Sequence, residues 1–302
     1  MPDDTQRRGG FPTAIAAYGL WGTLPLYFSL MDDVHPVEIV GWRILFSVAL
    51  CLPLVLLVPA SRGAVSGLLR SARALAGLAA AGLFIAVNWL VYVYAVSTHQ
   101  ALDASLGYFL NPLVSVALAM LVLRERLRPL QWAAVGVAAA GLLVQLLAYG
   151  RLPWIALVLA VSFAVYGLVK KLAGARIDAL AGFTVETTML APLGAACLAW
   201  TVFAGGGLGF GRAPVPTIAL LFAGVATSLP LLLFARAAKR LTLVEIGIAQ
   251  YIAPSLQFLI AVLLLHERMP PERWAGFVLV WAALALFTAD LLRNAGRPAA
   301  GE

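Results

Sequence analysis

The chain has 302 residues, 62% of them hydrophobic and 12% charged, with a mean hydropathy of +0.94, which is more apolar surface than a soluble domain of this length can bury. Its two cysteines, Cys51 and Cys197, lie far apart inside apolar runs and read as small buried hydrophobes, so they set no redox compartment. A net charge of +7 and a pI near 9.8 suggest nucleic acid, but the basic residues are scattered among short polar segments and fit a lipid bilayer better.

Apolar stretches of about 20 residues, enough to cross a bilayer, run over 12–31, 36–58, 75–97, 103–123 and 128–149, then over 152–171, 180–204, 215–235, 243–265 and 272–292. This predicts an all-α polytopic membrane protein of ten transmembrane helices, with breaks at His35-Pro36, Arg151-Leu152-Pro153 and Met269-Pro270-Pro271. The first span follows Arg7 and Arg8 as a signal peptide would. It is too long for an h-region and has no clear small-residue cleavage site, so it is predicted as a mature helix. Trp21 sits deeper in it than an interfacial belt residue would, which suits a pocket wall as well as packing.

In the second span Arg43 stands about 10 Å below the outer surface at about 1.5 Å per residue. It is either an arginine that snorkels or pairs with a carboxylate for packing, or a clamp for a substrate carboxylate. Glu38 lies about 140° round the helix from it at about 100° per residue, a poor same-helix partner, and is expected at the interface. Glu186 in the seventh span is the acid placed to approach Arg43 near mid-membrane, as a structural partner or as a proton-coupling carboxylate. The third span offers Asn88 and Tyr92 at a spacing of four, flanked by Trp89.

Asp103 opens the fourth span, where it serves as a favourable anion at a helix N-terminus or as a gate. Further on, Tyr108, Asn111 and Ser115 form a polar stripe beside Pro112. A proline there frees a backbone carbonyl, so the face is expected to line the interior, as a substrate path or as interhelical glue. Gly136 and Gly141 in the fifth span most simply allow close helix contact.

A shift of 142 residues lays the chain on itself without a gap. It superposes Pro112 on Pro254, Glu125 on Glu267, Arg126 on Arg268, Pro129 on Pro271 and Trp132 on Trp274. Asp103 then falls on Glu245, Tyr108 on Gln250 and Ser115 on Gln257. Apolar composition alone does not match Pro, Glu-Arg, Pro and Trp at one offset, which points to a duplicated half. The halves are assigned to residues 1–149 and 150–302. With five helices in each, the second half enters the membrane from the opposite side, giving inverted repeats. Placing the N-terminus inside leaves sixteen Lys and Arg on the inner side against Arg151, Arg212, Arg268 and Arg273 outside. That bias puts both termini in the cytoplasm.

The runs Asn88-Trp89, His99, Asp103 to Leu113, Arg124-Glu125-Arg126, Trp132 and Phe163 to Leu168 resemble the RarD-type permeases of the EamA family, within the drug/metabolite transporter superfamily. The resemblance extends from about Ala14 to about Leu291 and implies a ten-helix inner-membrane transporter, in a subfamily labelled as chloramphenicol-sensitive permeases. It supplies no binding residues, so the candidate site rests on the residues themselves. Arg43, Trp21, Asn88, Trp89, Tyr92, Tyr108, Asn111, Gln250 and Gln257 are the candidates for substrate binding, and Glu38, Glu186, Asp103 and Glu245 for coupling or gating.

The sequence has no G-x-x-x-x-G-K-[ST] loop and no H-E-x-x-H, and its three histidines are far apart. No enzyme activity, cofactor or metal is therefore expected. The residues and the resemblance together predict a secondary transporter, an exporter, of a small metabolite or an amphipathic drug such as chloramphenicol, working by alternating access and driven by protons or by the solute's own gradient. An uncoupled facilitator, a membrane scaffold and an intramembrane enzyme are the alternatives. The partners expected are the solute and the bilayer, with no nucleic acid, and the fifth and tenth helices support the bundle or form a homodimer.

Overall fold

The structure, a computed structural model, describes residues 4–123, 127–149, 152–173, 177–238, 240–241 and 243–294. Arg124, Glu125, Arg126, Arg151, Arg176, Lys239 and Arg297, used above in the charge pattern or the motifs, lie outside the described residues. The described residues form helices and connections only: α1 (Asp4–Gly22), α2 (Leu24–Ser29), α3 (Pro36–Leu57), α4 (Pro59–Leu69), α5 (Ala72–Ser97), α6 (Ala101–Leu123), α7 (Pro129–Tyr149), α8 (Trp154–Ala173), α9 (Ala179–Phe203), α10 (Pro214–Leu221), α11 (Ala223–Ala238), α12 (Leu243–Ala249), α13 (Ile252–Leu263) and α14 (Pro271–Asn294).

Among the described residues, eight stretches are long and apolar enough to cross a membrane: Pro36–Leu57, Ala72–Ser97, Ala101–Val122, Pro129–Leu147, Ala179–Phe203, Pro214–Ala238, Glu245–Leu263 and Arg273–Arg293. The first and sixth of the ten expected spans fall outside this set. The helix of the first opens on the charged run Asp4 to Arg8 and then breaks at Thr23 beside Pro25. The sixth has an apolar stretch only from Trp154 to Lys170. Many large apolar side chains are exposed, among them Phe203 at 88%, Leu57 at 76% and Leu147 at 74%. In a helical bundle of this composition such faces meet lipid.

The two equivalent prolines act differently. Pro112 lies inside an unbroken α6, whereas Pro254 is the third residue of α13, directly after the break between α12 and α13. A proline removes the bond to the carbonyl four residues back, which for Pro254 is that of Gln250, the residue just after α12. Helix α4, eleven residues between the second and third spans, adds to the ten helices expected. Ser61 ties it to the start of α9 by donating to Asp178 Oδ1 at 2.9 Å.

Helices from the two halves of the chain pack together: α3 lies on α9 and α11, α8 on α5 and α6, α1 on α11 and α13, and α7 on α14. Small residues make these approaches. A Cβ on Gly41 would meet Gly194 O at 3.0 Å, and one on Gly107 would meet Ala156 O at 2.8 Å. Gly141 comes against Gly276 of α14, but Gly136 faces open space, so the close contact expected of both glycines holds only at Gly141. The main core cluster runs from α2, α3, α5, α6 and α8 on to α7, α9, α13 and α14, and a smaller one joins α1 to α11, α12 and α13.

Candidate functional site

α3 begins where His35 caps it, its Nδ1 accepting from Val37 N at 3.2 Å, with Pro36 as the first helical residue. Two turns on, Arg43 points into the core and is 4% exposed. Its Nε donates to Thr227 Oγ1 of α11 at 2.7 Å, and Thr227 Oγ1 donates in turn to Ala223 O at 2.8 Å. α11 comes this close because Gly224 has no Cβ to meet the carbonyl of Phe46. The guanidinium carbon lies 4.5 Å from the Trp89 ring centre and 5.5 Å from that of Phe28, within cation–π range. Nη1 is buried with no hydrogen-bond partner among the described residues.

α5 supplies the other wall. Asn88, 1% exposed, donates from Nδ2 to Leu159 O and Ser162 Oγ of α8, both at 3.0 Å, and accepts from the Tyr108 hydroxyl at 2.9 Å. Tyr92 packs against Phe28 and Tyr108 with ring centres 5.9 and 5.6 Å away, and its hydroxyl has no partner among the described residues. Rings continue from Tyr108 through Phe163 to Tyr166 at 6.1 and 5.9 Å. Lys170 Nζ there donates to Tyr166 Oη and to Glu186 Oε2, each at 2.9 Å. Glu186 is fully buried, and its Oε1 is unpartnered.

The structure thus joins Arg43, Asn88, Trp89, Tyr92 and Tyr108 in one cluster and separates the others. Trp21 packs with Tyr18 and Phe234 at 5.5 and 5.8 Å. Its carbonyl accepts from Gln257 Nε2 at 3.1 Å, making a second small cluster with α13. The approach expected between Arg43 and Glu186 is not made. Lys170 lies on α8, the helix preceding Glu186's own, and takes the carboxylate locally. Glu38, in the first turn of α3, is 1% exposed and accepts from Gly209 N at 2.7 Å, Phe210 N at 2.9 Å and Trp42 Nε1 at 3.2 Å. It anchors the segment after α9 onto the start of α3.

The stripe on α6 also divides. Tyr108 joins the core, Asn111 is half-buried, and Ser115 is exposed, donating to Asn111 Oδ1 at 3.5 Å. Gln250 is half-buried at the end of α12, and Glu245 is half-buried in its first turn. Asp103 accepts from Arg273 Nη2 at 3.2 Å. Beside it Glu267 accepts from Ala101 N at 2.6 Å and Leu102 N at 3.0 Å, capping α6 from the far half of the chain. Burial pushes the Glu267 carboxyl above its ordinary value, against the opposing pull of those two N–H donors and of Arg273.

Thr227, Lys170, Tyr166 and Glu267 were not among the residues chosen from sequence. Glu267 carried a signal in its repeat partner Glu125, and Lys170 in its spacing of four from Tyr166. Thr227 carried none.

The same family model matches the chain twice, over residues 9–147 and 152–289. The chain belongs to the EamA-like transporter family. The two matched segments both contribute to the Arg43 cluster, α3 and α5 from one and α11 from the other. A protein named RarD from Streptomyces exfoliatus is 43% identical, aligned over 98% of this chain and 93% of its own length. An uncharacterized transporter from Pseudomonas aeruginosa is 41% identical over 96% of each. A solved crystal structure superposes on 95% of this EamA-like chain and 98% of its own with a TM-score of 0.60 at 22% identity, a likeness of fold alone.

Proposed function

We propose that this EamA-like protein is a secondary transporter that exports a small metabolite or amphipathic drug-like solute across the inner plasma membrane by alternating access about the Arg43 cluster. The observation that carries this reading is a buried guanidinium held between helices of both matched segments, with its Nη1 unpartnered. A charge at that depth is costly, and in a membrane bundle it marks a substrate path.

Ten spans in two inverted halves, residues 1–149 and 150–302 with both termini cytoplasmic, complete the proposal. The 142-residue register supports it in space. Gly107 lies against Ala156, and the corresponding positions Ala249 and Ala14 are buried in one cluster. Glu186 is the coupling carboxylate in this scheme. The Asp103–Arg273 pair is an outer gate, and the exposed faces of α7 and α14 are support or a homodimer surface.

Flux in proteoliposomes tests the proposal, using a panel that includes chloramphenicol and amino acids, an imposed pH gradient, wild type and Arg43→Gln. Gradient-driven flux lost in the variant is the expected result. Flux indifferent to pH makes the protein an uncoupled facilitator. A folded protein that moves no solute returns the scaffold and enzyme readings.

A further inference from the structure

The Arg43 cluster contains two buried donors with nothing to donate to. Arg43 Nη1 and the Tyr92 hydroxyl both lack a partner among the described residues, on side chains 4% and 2% exposed, and both side chains pack on the Phe28 ring, at 5.5 and 5.9 Å from its centre. The remaining polar groups around them are engaged. The Tyr27 hydroxyl donates to Ala219 O at 2.6 Å, Tyr108 donates to Asn88, and Asn88 Nδ2 donates to α8. Among the described residues no carboxylate pairs with Arg43. Glu186 is held by Lys170, Asp103 by Arg273, Asp290 by Arg128 and Glu38 by backbone N–H groups. A guanidinium has no lone pair to offer and a phenol hydrogen rotates to suit, so what the cluster lacks is an acceptor, and a negatively charged one answers the unbalanced charge best.

We infer that the solute taken by this site is a small monocarboxylate with an apolar or aromatic body. This rests on the transport reading and gives that reading its substrate class. The carboxylate accepts from Arg43 Nη1 and from the Tyr92 hydroxyl, while Thr227 at Nε and the Trp89 face hold the guanidinium plane. Phe28, Trp89, Tyr92 and Tyr108 form the apolar wall. An α-amino acid is disfavoured because its ammonium meets only unpartnered donors here. An ester or amide is disfavoured because it leaves the cation unneutralised. Since Arg43 is almost fully covered, the ligand enters when the helices part.

Tyr92 is the discriminating residue, because its hydroxyl makes no bond within the protein and its loss leaves no protein group unpaired. The experiment uses full-length protein in nanodiscs for titration calorimetry and in proteoliposomes for flux. The probes are phenylacetate, benzoate, butyrate and octanoate, set against methyl phenylacetate, phenethylammonium and phenylalanine. At least one of the four acids is expected to bind and to move, with the ester, the amine and the amino acid weaker. Arg43→Gln should abolish that binding, and Tyr92→Phe should weaken it roughly tenfold to a hundredfold, the loss of one hydrogen bond to a charged group, with unchanged thermal unfolding.

Equal binding of acid and ester, or acid binding that survives Arg43→Gln, overturns the inference. If none of the four acids binds while chloramphenicol or another neutral solute is moved, the carboxylate is wrong and transport stands. If no solute of any charge moves, it is the transport reading that falls.

Discussion

Two cations inside the bundle, the buried Arg43 and the half-buried Lys170, stand at opposite ends of one run of aromatic rings, and they are satisfied in different ways. Lys170 is neutralised inside the protein, by Glu186 at 2.9 Å and the Tyr166 oxygen at the same distance. Arg43 has one hydroxyl, two ring faces and no carboxylate among the described residues. A buried charge with its counterion in place is a structural unit, and removing one member strands the other. A buried charge without one is incomplete until something from outside completes it. Under the transport proposal, this contrast leaves Lys170 and Glu186 to hold the second half together and to couple, and Arg43 to take the solute.

Breaking the complete pair should have the largest effect on stability. Lys170→Met strands a fully buried carboxylate and should cost roughly 3–5 kcal/mol, whereas Lys170→Met with Glu186→Leu should restore wild-type stability or exceed it. Thermal unfolding of the purified protein reads both, and a single variant as stable as wild type would erase the contrast.

Thr227→Val should cost less, about 1–3 kcal/mol, because it leaves Arg43 Nε unpaired in the core. The same unfolding assay measures it, and a loss well below 1 kcal/mol would mean that ring faces alone hold the guanidinium.

The smallest effect belongs to the other end of the bundle, where Glu267 caps α6. Burial raises its carboxyl above the ordinary glutamate value of 4.5, so folding favours the protonated form. That contribution is full below pH 4.5 and is lost as pH rises through the raised value. Wild type should therefore lose a little stability across this window. Glu267→Gln should remove that slope in a series of melts at different pH.

The helical class, the breaks at His35-Pro36 and Met269-Pro270-Pro271 and the fact of duplication were legible in the sequence, because apolar length and the spacing of Pro, Glu-Arg and Trp are properties of the chain read in one dimension, whereas the breaks at Thr23 and after Ala249 were not. So was the importance of Arg43, since an arginine that deep in an apolar span needs a reason. Its partner was not legible. Glu186 was the natural choice by depth, but depth fixes only one coordinate, and the rotation of α9 turns that carboxylate towards Lys170. The equivalent prolines show the same limit. Pro112 is absorbed into a continuous α6 and Pro254 follows a break, although the one-dimensional pattern treats them alike.

The sequence by itself determined that this chain lives among lipids, in helices, with a charge in its core and a repeat in its design. Tertiary structure alone decided that Gly224 lets α11 reach α3, that Thr227 and Trp89 therefore hold Arg43, and that Nη1 and the Tyr92 hydroxyl are left without an acceptor. The physical reason is that hydropathy is summed along a helix, whereas a hydrogen bond or an ion pair is settled by rotation and separation between helices, to within a fraction of an ångström.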